Sequence, residues 1–270
     1  MLTRIISGTI FGVVLAVLFF LVPPIVTALA VAGLCAVASF ELLHTTGLVK
    51  NIRINVYSAL MAALTVVWSY FGCSYAYFLL GLLAYGALLF AELLLSSGKT
   101  PVAQIGYAFL SGLVIPLLLG SLLRIRLWNN GQLLLLIPLV MAYCSDTGAY
   151  FIGVCFGKHK MCPNISPKKS WEGFAGGIVV AILGMMLYAF ILTKTTNLQV
   201  NYYRAFLYGL VGSLGSVFGD LTMSVIKRQV GIKDYGKLIP GHGGILDRFD
   251  SVLITAPLTE VLLMLLPMVV

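Results

Sequence analysis

From Gln132 to Cys155 the chain reads Q-L-L-L-L-I-P-L-V-M-A-Y-C-S-D-T-G-A-Y-F-I-G-V-C, with Asp146 as the lone charged residue. About 20 such residues in helical form cross a hydrocarbon core, so this run predicts a membrane-spanning helix with a carboxylate inside it. Reading outward in both directions, apolar runs broken by turn and charge signals predict spans at 5 to 22, 25 to 43, 54 to 71, 74 to 95, 103 to 123, 132 to 155, 173 to 193, 204 to 223 and 251 to 269. Pro23-Pro24 separates the first two, because proline cannot continue a helix and disfavours helical geometry in the residue before it. Gly72-Cys73 marks the third boundary. The expected fold is all-α, a polytopic integral membrane protein of about nine transmembrane helices.

Composition agrees. The 270 residues are 60% hydrophobic and 10% charged, where soluble domains carry ~25% charged residues. The spans leave only short connections and no separate soluble domain. Seventeen basic residues against nine acidic give a net charge of +8, which points to anionic headgroups or an anionic substrate. Nucleic acid is not expected, because no polar domain exists to carry it. With the amino terminus in the cytoplasm, 13 of the basic residues fall inside and Arg124, Arg126, Lys194 and Arg204 fall outside. This bias places the longest polar loops, 156 to 172 and 224 to 250, on the cytoplasmic side. The chain accordingly divides into amino-terminal transmembrane helices, 1 to 130, and a carboxyl-terminal transmembrane region, 131 to 270, that carries both loops and is the expected seat of any chemistry.

The five cysteines form no C-x-x-C pair and lie mostly in apolar runs, where a thiol acts as a small hydrophobe. His159 and Cys162 have the spacing of two metal ligands, yet no second pair accompanies them, so zinc is not expected. Hydrophobicity continues through the small-x-small site at Ala28-Leu29-Ala30, which argues against signal-peptide cleavage.

Six of the nine acids lie between Asp146 and Asp250. A helix continued past residue 223 would place Asp220, Ser224 and Lys227 on one face, so that a carboxylate, a hydroxyl and an ammonium point the same way. Gly212, Gly215, Ser216 and Gly219 would let another helix approach closely. A packing role for Asp220, paired with Lys227 or Arg228, competes with a functional one, but acids inside membranes are costly and tend to be functional. Asp146 has an interhelical hydrogen bond as its competing role. Glu260 reads as bundle-facing structure, and Glu41 and Glu92 as ordinary headgroup-level carboxylates.

The stretch Ser224 to Asp250 reads S-V-I-K-R-Q-V-G-I-K-D-Y-G-K-L-I-P-G-H-G-G-I-L-D-R-F-D. Gly241, Gly243 and Gly244 around His242 permit backbone N–H groups to face a phosphate. Asp247 and Asp250, three apart, would share a face of a helical turn and could hold a hard cation together with Asp220. Lys227, Arg228, Lys233, Lys237 and Arg248 supply positive charge for a polyphosphate. The other loop carries Ser166-Pro167-Lys168-Lys169-Ser170-Trp171-Glu172-Gly173, with paired lysines and hydroxyls at the mouth of a helix. A lipid-headgroup anchor is the competing role for that segment.

This signature resembles that of the CDP-diacylglycerol synthases, the phosphatidate cytidylyltransferases: Ser-x-apolar-Lys-Arg, then Lys-Asp-x-small, then apolar-Pro-x-His-Gly-Gly-apolar-x-Asp-Arg-apolar-Asp. Residues 166 to 173 and Ser145-Asp146 are similar to further family segments. The resemblance is close over about the last 130 residues and general hydrophobicity before them. It implies cytidylyl transfer from CTP to phosphatidate, giving CDP-diacylglycerol and pyrophosphate, with magnesium as cofactor and a second cation beside it. It also implies a homodimer in a bacterial-type inner (plasma) membrane with the active site on the cytoplasmic side. Asp220 and Asp247 match the family's metal-binding carboxylates. The expected catalytic group is Asp220, Lys227, Asp247 and Asp250, and the expected substrate-binding group is Lys168, Lys169, Ser224, Arg228, His242, Gly243, Gly244 and Arg248. The reading from another class is a secondary transporter or ion channel using Asp146, Asp220 and Glu260, but no chain of acids crosses the bilayer and no internal repeat is evident.

Overall fold

The computed structural model describes the backbone of residues 2–241 and 243–269 and the side chains of residues 8–10, 12–241 and 243–269. In chain order the helices are α1 (Leu2–Ala16), α2 (Pro24–Thr45), α3 (Ile52–Phe71), α4 (Tyr75–Leu95), α5 (Val102–Arg126), α6 (Gly131–Phe156), α7 (Trp171–Thr195), α8 (Tyr202–Gln229), α9 (Leu246–Phe249) and α10 (Val252–Leu265). The seven helices α2 to α8 are long and apolar enough to cross a membrane, as befits an integral membrane protein. The expected first and last spans fall instead on shorter apolar helices, Gly8–Leu21 and Val252–Leu265. The 14 residues of α10 rise only ~21 Å, short of a ~30 Å hydrocarbon core. Its helix stops where Leu266 leaves helical geometry before Pro267. Full-length spans among the described residues therefore number seven where nine were expected.

Local sequence explains the other boundaries. Helix α2 opens on Pro24, in the first turn where a missing N–H costs nothing. Helix α3 ends at Gly72, whose φ of 57° is left-handed, and the Ser74 hydroxyl then accepts the Ala76 N–H to start α4. The loop expected at 156 to 172 contains an antiparallel hairpin of β1 (Lys160–Cys162) and β2 (Ser166–Ser170). Helix α8 continues through Gln229, so Ser224, Lys227 and Arg228 are helical.

The chain forms two compact units, Met1–Gln132 with Gln229–Phe249, and Leu133–Arg228 with Asp250–Val270. In the first, Tyr85 of α4 donates to the Ala108 carbonyl of α5 at 2.7 Å and stands 2.8 Å from the Ser58 hydroxyl of α3. In the second, helices pack where side chains are missing. A Cβ on Gly148 of α6 would lie 2.6 Å from Val180 Cβ, and one on Gly173 of α7 would lie 2.7 Å from the Ala149 carbonyl oxygen. The small residues expected to admit a neighbour on α8 do so: Gly212 faces Met141, Gly215 faces Leu258, and a Cβ on Gly219 would lie 2.6 Å from the Asp250 carbonyl oxygen.

Gly209 gives a test of this packing. A Cβ there would lie 2.6 Å from Ile182 Cα, which is backbone and cannot rotate away. Gly209→Ala is expected to destabilise the protein by about 1–3 kcal/mol through overpacking, read as a lower thermal unfolding midpoint in detergent. Gly81, with open space around it, is the control. A Gly209→Ala protein that melts with the wild type would contradict the contact of α7 with α8.

Candidate active site

In the second unit, the continued α8 does what the spacing predicts. Asp220 accepts a hydrogen bond from the Ser224 hydroxyl one turn later at 3.2 Å, and Lys227 follows, buried, on the same face. Strand β2 brings Lys169 to the same carboxylate, with Nζ 2.7 Å from Asp220 Oδ2. This is a charge contact without the alignment of a hydrogen bond, and the buried Lys169 Nζ has no hydrogen-bond partner among the described residues. Its donors are available to a phosphate oxygen.

The hairpin is anchored at both ends. Arg228 Nε on α8 donates to the Ile165 carbonyl in the turn at 3.1 Å. At the base, Glu172 accepts the N–H groups of Lys158 and His159 and pairs with His159 Nδ1 at 2.6 Å, while the Ser170 hydroxyl caps α7 by accepting the Gly173 N–H. His159 is thus held by a carboxylate. Lys168 is exposed beside Lys169.

Two more carboxylates stand near Asp220. Asp146 accepts from the hydroxyls of Ser216 at 3.2 Å and Ser251 at 3.0 Å, while Asp250 accepts the Ser251 N–H at 2.8 Å. Asp146, Asp220 and Asp250 lie within electrostatic reach of one another, with Lys227 opposing the charge on Asp250. Burial first and the Asp220 charge second push the Asp250 carboxyl above its ordinary range. These three carboxylates do not form a group of three that could hold a metal ion among the described residues, and the Lys169 and Lys227 ammonium groups offset part of their charge.

The first unit carries the glycine turn. Gly241 and Gly243 have φ of 77° and 83°, and the Ile239 N–H donates to the Gly243 carbonyl at 2.9 Å, closing the chain on itself. His242 lies outside the described residues. Asp247 on α9 is buried, and its Oδ2 accepts the N–H groups of Tyr235 at 2.7 Å and Gly244 at 3.0 Å. The turn expected to hold both Asp247 and Asp250 ends at Phe249. Arg248 keeps a buried Nε that has no hydrogen-bond partner among the described residues.

Glu41 is the residue that sequence reasoning passed over. Its carboxylate on α2 is buried and accepts the N–H groups of Ile245 at 3.1 Å and Leu246 at 3.0 Å. Glu92, read as equally ordinary, accepts from the Asn51 amide at 2.8 Å and pairs with Arg53 at 3.4 Å. Nothing in local spacing separates the two acids.

The chain belongs to the cytidylyltransferase family, which it matches over residues 2–266. Among its relatives, a phosphatidate cytidylyltransferase of Bacillus subtilis is 33% identical over 270 residues, 97% of each chain. Proteins of the same name from Haemophilus influenzae and Mycobacterium bovis are 39% and 44% identical over 165 and 139 residues, 59% and 52% of this chain. Those two alignments cover about half of the relatives' own length, 56% and 44%.

Proposed function

We propose that this chain is a phosphatidate cytidylyltransferase, making CDP-diacylglycerol and pyrophosphate from CTP and phosphatidate in phospholipid biosynthesis. The family match across residues 2–266 carries the reading, and relatives bearing that name support it over a transporter or channel. An oxygen of the lipid phosphate attacks the α-phosphorus of CTP, the bond from that phosphorus to the bridging oxygen breaks, and pyrophosphate leaves with the electron pair. The nucleophile is already ionised, so the barrier is repulsion between anions. Asp220 and Asp247 are the residues proposed to hold magnesium, which when bound would neutralise charge on the polyphosphate. Lys169, with Lys168, Lys227, Arg228 and Arg248, holds phosphate oxygens. Gly243 and Gly244 let backbone approach them, with His242 beside, and Ser224 and Asp250 orient the site. The proposed setting is the inner membrane of a bacterial-type cell with the site at the cytoplasmic face, a second cation beside magnesium, and a homodimer.

Purified protein in detergent with labelled CTP, phosphatidate and magnesium, each omitted in turn, tests this. Pyrophosphate and labelled lipid should form only when all three are present. Pyrophosphate release without phosphatidate, or no labelled lipid under any condition, would remove the reading.

A further inference from the structure

We propose that Glu41, on α2, is a positioning residue for the turn from Gly243 to Arg248, acting through backbone amides on a segment about two hundred residues away in sequence. Both its carboxylate oxygens are engaged, Oε1 by the Ile245 N–H and Oε2 by the Leu246 N–H, the two residues immediately before Asp247. Thr45, one turn along α2, donates its hydroxyl to the Tyr235 carbonyl, and the Tyr235 N–H in turn donates to Asp247. One rigid helix therefore grips both ends of the 235-to-246 segment.

The glycines of the segment are explained by the same carboxylate. A Cβ on Gly244 would lie 2.5 Å from each Glu41 oxygen, and a Cβ on Gly236 would collide with Oε1. Gly243 does the corresponding service for Asp247, whose Oδ2 would lie 2.8 Å from its Cβ. Two buried carboxylates thus share one short loop, each held by two backbone N–H groups. A buried charge persists only when so paired, and bonds from N–H to carboxylate are among the strong ones. Glu41 sets where Asp247 and Arg248 sit, and the inference rests on the reading above of those two as site residues.

The test uses the full-length protein in detergent, with hydrogen–deuterium exchange recorded without substrate or metal and cytidylyl transfer assayed across magnesium concentrations. Glu41→Gln keeps the size but turns an amide NH2 toward one of the two donors. Peptides covering 243 to 249 should exchange ~10-fold faster or more, with other segments as in the wild type. The turnover number should fall ~30-fold, as misplacement of a site by a fraction of an ångström does, and the magnesium giving half-maximal rate should rise. A merely structural role would lower the active fraction and leave the magnesium dependence in place. Unchanged exchange at 243 to 249, or an unchanged magnesium dependence, overturns the proposal. Should Glu41→Gln not purify, Gly244→Ala decides, since the three nearest atoms to its Cβ all belong to Glu41. It should show the same two changes, and Glu41→Asp/Gly244→Ala, with a methylene less, should recover part of them. A wild type that forms no labelled lipid would defeat the proposed function, while the exchange result would still decide whether Glu41 holds the turn.

Discussion

Asp220→Asn is expected to reduce cytidylyl transfer by ~10³-fold or more while the protein still inserts and folds, because it removes the carboxylate on which the other charges of the second unit converge. In the wild type that carboxylate meets the Lys169 ammonium at 2.7 Å and the Ser224 hydroxyl at 3.2 Å. The amide is isosteric and keeps an acceptor for Ser224, but it neither attracts a divalent cation nor balances Lys169. Both side chains of the pair are about a quarter exposed, at 21% and 26%. The Lys169 ammonium itself is buried but stays within electrostatic reach of Asp146, so a lower unfolding midpoint rather than global unfolding is the expected result. Labelled-lipid formation at saturating CTP, beside gel-filtration and thermal unfolding in detergent, separates chemistry from folding. An Asp220→Asn protein within tenfold of wild-type turnover would remove Asp220 from the site. Ser224→Ala, which removes only the hydroxyl, should cost less than Asp220→Asn.

Much of this arrangement is carried by short-range sequence. Pro23-Pro24 and Gly72 end helices for steric reasons that one or two residues state completely. The i, i+4, i+7 spacing of Asp220, Ser224 and Lys227 needs only a helix that does not stop at the membrane edge, and α8 does not. The short helix at 252 to 265 was less legible, since hydropathy continues through Leu266 and Met268 while the helix does not. The hairpin at 160 to 170 was not legible at all. Lys-Met-Cys and Ser-Pro-Lys-Lys-Ser lack the alternating apolar pattern of a strand, and its ends are set by Glu172 and Arg228. Glu41 is the extreme case, because its partners Ile245 and Leu246 lie in another part of the chain and contribute only backbone N–H, which no side-chain pattern records.

Lys169→Met should cost ~10²-fold in turnover, and Lys168→Met less than about tenfold, although the sequence presents the two lysines as an equivalent pair. Successive residues of a strand point to opposite faces, and here only Lys169 reaches the Asp220 carboxylate, while Lys168 is exposed. Methionine keeps the length and apolar stem of Lys169 but leaves Asp220 in the company of Asp146 and Asp250 with one cation fewer. It also removes the buried ammonium whose hydrogen-bonding capacity is otherwise unspent. If Lys169 served only to neutralise Asp220, the Lys169→Met/Asp220→Asn protein would be no worse than Asp220→Asn alone. If the ammonium also holds a substrate phosphate, the double variant falls further, and KM for CTP or phosphatidate in Lys169→Met identifies which phosphate it holds. Equal losses in Lys168→Met and Lys169→Met would show instead that the segment acts as a diffuse basic patch, because a general attraction to anionic headgroups does not distinguish a side chain 2.7 Å from a carboxylate from its exposed neighbour.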